Sequence, residues 1–250
     1  MKLLSREQGH WERLAANDPM WIILTEAGKR GRWNETEFFE SGREEIAGVL
    51  GLLDRYGLSP RFGTALDFGC GIGRLTQALG ERFDRVHGVD ISPTMIAMAR
   101  EKNRAGSRVT YHVNATDGLP MLATGSVDFI YSNIVLQHIP RRAANAYVRE
   151  FGRVLAPGGI LVVQTLTRAR RWSVRLRHRL RDAAPDAYRW LRDLVSRRAR
   201  WEMNVLPEAL VRDALALSGV QVTHVLHDDA GGEQFESRRF VAVRRGAGSS

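Results

Sequence analysis

A chain of 250 residues, 44% of them hydrophobic and 26% charged, carries enough apolar material for one large α/β domain and too much for a disordered chain. Its single cysteine, Cys70, excludes an internal disulfide and a thiolate cluster for zinc or iron and sulfur, and no apolar run reaches membrane-spanning length. The net charge of +9 is local, because residues 168–200 hold twelve arginines and three aspartates and the remainder sums to zero.

The start, "MKLLSREQGHWERL", lacks the apolar middle of a secretory signal, so the expected location is cytoplasmic. Residues 1–57 read as a helical N-terminal lid with Trp11, Trp21, Trp33, Phe38 and Phe39 as its aromatic anchors. Within it Ile46, Val49, Leu50 and Leu53 recur every three or four residues, which lays one helix face on a core. From 58 onward strand and helix alternate. "TALDFG" is a strand, and Ile72, Leu75 and Leu79 then repeat at helical spacing; "RVHGVDI" is a second strand, followed by a helix with Ser92 as N-cap and Pro93 in its first turn. "RVTYHV" and "VDFIYSNIV" are the third and fourth strands. A helix carrying Tyr147, Val148, Phe151, Val154 and Leu155 leads through "PGG" into "ILVVQT". This pattern predicts a Rossmann-like, doubly wound α/β fold: a mostly parallel seven-stranded sheet, helices on both faces, the last strand antiparallel.

The alternation pauses at an insertion, 168–204. There Trp172, Leu176 and Leu180 repeat every four residues, and Tyr188, Leu191, Leu194 and Val195 continue after Pro185, predicting two basic amphipathic helices. A solvated arginine-rich face, an interfacial surface meeting an acidic membrane, and a nucleic-acid surface compete as readings, the last lacking interleaved aromatic platforms. The pattern resumes with "PEALVRDALALSG", "VQVTHVL" and "RRFVAVR", and "GAGSS" reads as a disordered tail.

Gly69, Gly71 and Gly73 follow the first strand and open a helix, where α/β proteins bring backbone close to a ligand. A dinucleotide turn needs G-x-G-x-x-G, but the sixth place holds Arg74 or Thr76, and no Gly-Lys-Ser/Thr is present for a P-loop. Phosphate is therefore disfavoured. Asp67 stands two residues before the first glycine and Asp90 ends the second strand, 21 residues after it. A strand-end carboxylate accepts hydrogen bonds from ribose hydroxyls, and Asp67 favours a cation. S-adenosylmethionine has a ribose, a sulfonium and an ammonium, and no phosphate.

On "LDFGCGIGR", "GVDIS" and "VLAPGGILVV", the chain resembles the class I S-adenosylmethionine-dependent methyltransferases, strongly over 58–165 and more weakly from Leu206 to Val243. The resemblance implies that Asp67, Gly69, Cys70, Gly71 and Gly73 line the methionine side of the cofactor. It implies that Asp90 holds the ribose, Ile91 packs on the adenine, Asn114 and Ala115 stand near its amino group with Asp117, three residues on from Asn114, as the other candidate, and Asn133 borders the crevice. Methyl transfer to a hydroxyl gains from a base at the end of the fourth strand, and His138 is the candidate there, against a structural role for its ring. His87 and His112 lie within strands, and no pair has metal-ligand spacing, so no metal is expected. No Asn/Asp-Pro-Pro-Tyr follows the fourth strand, which counts against methylation of nucleobase amines. The expected function is O-methylation of a small-molecule, glycan or lipid-linked acceptor, peripheral contact with an acidic membrane surface being one of the competing readings of the insertion. RNA methylation through the arginine helices and a non-catalytic S-adenosylmethionine-binding protein are the alternatives.

Overall fold

A computed structural model describes residues 4–25, 28–184 and 203–246. The second basic helix expected around Tyr188 to Val195, and the last four residues of the expected tail, lie outside the described residues. Among them, no helix is long and apolar enough to cross a membrane.

Two short helices lead, α1 (Ser5–Ala15) and α2 (Pro19–Ile23), the second capped by the Asp18 carboxylate on the Trp21 N–H. The long α3 (Glu35–Arg55) starts where the Asn34 side chain accepts from the N–H groups of Thr36 and Glu37, with Glu35 and Glu37 in its first turn and Arg55 in its last, each matching the helix dipole. Then come β1 (Thr64–Phe68), α4 (Arg74–Gly80), β2 (Arg85–Asp90), α5 (Pro93–Glu101), β3 (Val109–Val113), β4 (Val127–Ser132), α6 (Arg141–Val154), β5 (Leu155–Ala169), α7 (Trp172–Ala183), α8 (Glu208–Ala216), β6 (Val220–Asp228) and β7 (Phe235–Arg244). Ser92 caps α5 on the Met95 N–H with Pro93 in the first turn, as its sequence predicts.

The seven strands form one sheet in the order β3-β2-β1-β4-β5-β7-β6. β1 to β5 pair in parallel, while β7 runs antiparallel to both its neighbours. The order reverses between β1 and β4, and a crevice outside the carboxyl ends of the strands at such a switch point is where doubly wound sheets bind ligands. Alternate residues of β1 go to opposite cores. Leu66 and Phe68 join Ile130, Val148, Phe151 and Leu215 under α6 and α8, and Ala65 joins Ile46, Leu53, Leu79, Ile96 and Phe129 under α3, α4 and α5. Each fully buried large side chain contributes about 1.5–3 kcal/mol.

Two features differ from the simple alternation. No α-helix links β3 to β4; the connection is a loop organised by Asn114. β5 begins at Leu155 and runs to Ala169, past the expected end at Thr165, because β7 pairs with it as far as Ala169 opposite Phe235. On β2 and β3, His87 Nδ1 and His112 Nε2 lie 3.0 Å apart, and burial lowers the pKa of each ring.

α3 and α4 touch through backbone. A Cβ on Gly42 would fall on the Arg74 carbonyl oxygen, whereas one on Gly48 of the same helix meets nothing within 4 Å. Gly48→Ala therefore gains helix propensity of about 0.5–1 kcal/mol, and Gly42→Ala overpacks the contact at a cost of about 1–3 kcal/mol. By thermal unfolding we expect Gly48→Ala to melt about 2 °C higher and Gly42→Ala roughly 3–10 °C lower.

Candidate functional site

The turn after β1 is built from backbone that only glycine supplies without strain. Gly69, Gly71 and Gly73 all have positive φ, at 80°, 53° and 86°. Each is also crowded: a Cβ on Gly69 would run into Val135, one on Gly73 into the Tyr111 hydroxyl, and one on Gly71 would stand 2.6 Å from Ile23 Cδ1 of α2. The N–H groups of Gly69 and Cys70 donate to the Val89 carbonyl at 2.7 and 3.0 Å, so the turn is fastened to the end of β2. Cys70 is buried, and burial with the nearby Asp90 and Asp67 raises its thiol pKa, so it packs and supplies no nucleophile.

Asp90 ends β2 beside this turn. Its Oδ2 accepts from the Gly71 N–H and its Oδ1 from the Ser92 N–H, both at 2.9 Å. Each carboxylate oxygen has a second lone-pair direction, so the oriented group keeps capacity to accept from a pair of hydroxyls. Burial raises its pKa, partly offset by those N–H donors. Asp67 sits beneath the turn, 1% exposed, with Oδ2 accepting from Thr76 Oγ1 at 2.6 Å. Burial pushes its pKa up to about 7. A cation brought to the turn would relieve both carboxylates, and a pyrophosphate would oppose them.

Arg74, the first residue of α4, points away from the crevice. It is 5% exposed and donates from Nη2 to Glu45 Oε2 at 2.6 Å and from Nη1 to Ser41 Oγ at 3.3 Å. Glu45 Oε1 also accepts from the Tyr131 hydroxyl and from Asn133 Nδ2, each at 2.8 Å. Burial opposes the ionisation of Glu45, but the Arg74 charge and these three donors outweigh it and hold its pKa below the ordinary value. Because Asn133 donates to Glu45, its Oδ1 is turned the other way, and this buried oxygen has no partner among the described residues.

Asn133 leads into an unusual backbone. Ile134 has φ 59°, strained for a β-branched residue, and its N–H donates to Gln164 Oε1 at 2.9 Å. Gln164 is itself held, donating to Gln137 Oε1 and Ser237 Oγ. The Ser132 hydroxyl donates to the Phe68 carbonyl at 3.0 Å, so the end of β4 lies against the glycine turn. His138 follows in a single helical turn, Leu136–His138. Trp11 of α1 stands edge-on to its ring at 5.4 Å, and burial together with His10 pushes its pKa down to about 4. The ordinary near-neutral value behind its choice as a base does not hold in this setting.

α1 is also tied to the end of β2: Glu12 accepts from the hydroxyls of Ser92 and Thr94 and from the Thr94 N–H, and Gln8 Nε2 donates to the Ile91 carbonyl. Phe38 is fully buried against Ile72 and Met95, an anchor and not a ligand platform. Asn114 does not point at the crevice. Its amide donates to the Gly118 carbonyl at 2.8 Å and the Tyr147 hydroxyl at 3.2 Å and shapes the loop after β3, leaving Ala115 half-buried at its start. The structure thus brings Gly69, Gly71, Gly73, Asp90, Ile91, Asn133 and His138 to one edge, and adds Glu45, Gln164, Ile23 and Glu12, which no local motif marks. Among the described residues no group of three or more His, Cys, Asp or Glu could hold a metal.

Residues 65–159 match the family described as a methyltransferase domain. That segment is 95 of the 250 residues, and with the seven-stranded sheet around it the chain is similar to the class I S-adenosylmethionine-dependent methyltransferases. Among curated proteins it is similar to a ubiquinone biosynthesis O-methyltransferase of Xanthomonas oryzae pv. oryzae, 34% identical over 104 residues, which are 41% of this chain and 43% of that one, and to its counterpart in Xanthomonas axonopodis pv. citri, 31% identical over 112 residues. The match thus spans less than half the length of these relatives. Among solved structures, magnesium protoporphyrin IX methyltransferase from Synechocystis PCC 6803 with bound SAH aligns over 96% of this chain and 99% of that one, with TM-score 0.62 and 19% identity. The [4+2]-cyclase SpnF aligns over 88% and 86%, with TM-score 0.56 and 14% identity, so the fold alone does not specify the chemistry.

Removing the charge of Glu45 leaves the Arg74 guanidinium buried without its counterion, which costs about 3 kcal/mol or more. We expect Glu45→Gln to melt at least about 6 °C lower, with Glu44→Gln, an exposed neighbour, within about 1 °C of the parent.

Proposed function

We propose that this protein transfers a methyl group from S-adenosylmethionine to a hydroxyl oxygen of a small-molecule acceptor, with a lipid-linked acceptor as the favoured class. The observation that carries the reading is Asp90, a carboxylate oriented by two backbone N–H groups beside a turn of three glycines with a second, buried carboxylate beneath it. That donor and acceptor set suits a ribose and a cation. The O-methyltransferase names of the relatives support oxygen as the atom methylated.

In the proposed assignment Gly69, Gly71 and Gly73 give the cofactor close backbone approach, Asp90 accepts from the ribose hydroxyls and Ile91 packs on the adenine. With the Asn114 side chain engaged in its loop, backbone near Ala115 meets the adenine edge. Asn133, its amide fixed by Glu45, offers Oδ1 as an acceptor to an ammonium or hydroxyl. When bound, the cofactor supplies a methyl already activated on a sulfonium. The chain's own task is alignment, exclusion of water beneath α1 and α2, and acceptance of the hydroxyl proton. His138, at the end of β4, is the proposed acceptor of that proton; with its pKa pushed down to about 4 the ring stands unprotonated near neutral pH but is a weaker base than an ordinary imidazole.

The direct test is labelled methyl transfer from S-adenosylmethionine into separated lipid, small-molecule and RNA fractions of cell extract, with label expected in the lipid or small-molecule pools; no incorporation despite donor binding would leave a binding protein. In calorimetry we expect Asp90→Ala to weaken S-adenosylmethionine binding at least 30-fold. Binding should also improve about tenfold from pH 6 to pH 8, since a cation favours the ionised form of Asp67 whose pKa stands near 7, and Asp67→Asn should flatten that dependence. His138→Ala should lower kcat by about 100-fold with donor affinity intact, and the parent's kcat should carry no inflection between pH 6 and 7 from this residue.

A further inference from the structure

α7 has two unlike faces. Val174 is buried with Leu166, Ala169 and Phe235, and His178, one turn on, stacks on Phe235. These contacts fasten the helix to the carboxyl ends of the sheet. Trp172, Leu176 and Leu180 occupy the opposite face at four-residue spacing and are 70%, 47% and 55% exposed. A parallel row, Arg171, Arg175 and Arg179, is exposed one position before each of them. Large apolar side chains seldom line one face of a helix in water, and a basic row alongside them is the composition of a helix that lies in a lipid interface. At twelve residues, about 18 Å, α7 is far too short to span a bilayer.

Its place in the fold gives the surface a use. The chain returns from the insertion along the proposed acceptor site: the Asn204 N–H donates to the Gln137 carbonyl at 2.7 Å, next to His138, and the Leu206 N–H donates to the Leu166 carbonyl at 2.8 Å. α7 therefore stands at the same edge of the sheet as Gln137 and His138, where the proposed acceptor site lies.

We propose that α7 docks the protein on acidic lipid bilayers by sinking Trp172, Leu176 and Leu180 below the headgroups while Arg171, Arg175 and Arg179 meet lipid phosphates. This deepens the reading above, on which its catalytic sense rests, by making the acceptor membrane-borne. A nucleic acid would use the arginines and have no need of the apolar row; a second copy would use the apolar row and gain nothing from acidic lipid.

The full chain is floated with vesicles of phosphatidylcholine containing 30 mol% phosphatidylglycerol, and with phosphatidylcholine alone. We expect partitioning onto the acidic vesicles with a blue shift of tryptophan fluorescence, falling at least tenfold for Trp172→Ser/Leu176→Ser/Leu180→Ser, and about 30-fold for Arg175→Ser/Arg179→Ser, each arginine near the surface being worth several-fold. Both variants alter exposed positions and should keep the parent's melting temperature and its affinity for S-adenosylmethionine. Vesicle binding that ignores the apolar row overturns the proposal, as does RNA binding lost with the arginines alone, or self-association by sedimentation lost with the apolar row in the absence of vesicle binding. Intact vesicle binding with no methyl transfer would count against the enzymatic reading and leave the docking surface standing.

Discussion

A guanidinium taken out of water must be met by a carboxylate, and in this fold that single requirement joins three elements. Arg74 opens the helix behind the glycine turn, Glu45 reaches it from α3, and the same carboxylate accepts from Tyr131 and Asn133 at the end of β4. The pair is buried enough that neither partner is cheaply lost. Its effect on the crevice is indirect. Glu45 compensates the guanidinium charge that also acts on Asp67, and by accepting from the Asn133 amide it fixes the orientation of that side chain.

The glycine turn, the Ser92 cap and the succession of strands along the chain were legible because their signals are local. Positive φ needs glycine, a cap needs serine, and a buried strand needs a run of apolar residues. Glu45 carries no such mark. It follows Glu44 on an amphipathic helix, and only the three-dimensional position of β4 separates the half-buried acid from the exposed one. The strain at Ile134 is invisible for the same reason, since it is held by Gln164, thirty residues later. Asn114 misled by being the right kind of residue at the right offset: its amide satisfies its own loop, which takes the place of a helix between β3 and β4. His138 was legible in position but not in basicity, because neighbours from α1 set its environment. The end of β5 was missed because Thr167 and Arg168 read as loop, and their partner strand lies nearly seventy residues on.

The site is also asymmetric in how it is covered. Over Gly71 and Asp90 the roof comes from α1 and α2, through Ile23 and the Glu12 contacts to Ser92 and Thr94. At the end of β4 it comes from the return of the insertion past Gln137, next to His138. These covers lie largely outside the segment matched by the family, residues 65–159.

One consequence follows from β7 lying between β5 and β6. Along a chain made from its amino end, β6 emerges before the strand that must separate it from β5, and it has no neighbour to pair with until residues 235–244 exist. The half-sheet of β1 to β5 can assemble during synthesis, but the other edge has to wait until β7 can pair with both β6 and β5. Completion of that edge is thus the last step of the sheet, taken once β6 and β7 have paired and β7 meets β5, and until then β6 stands as an unpaired edge.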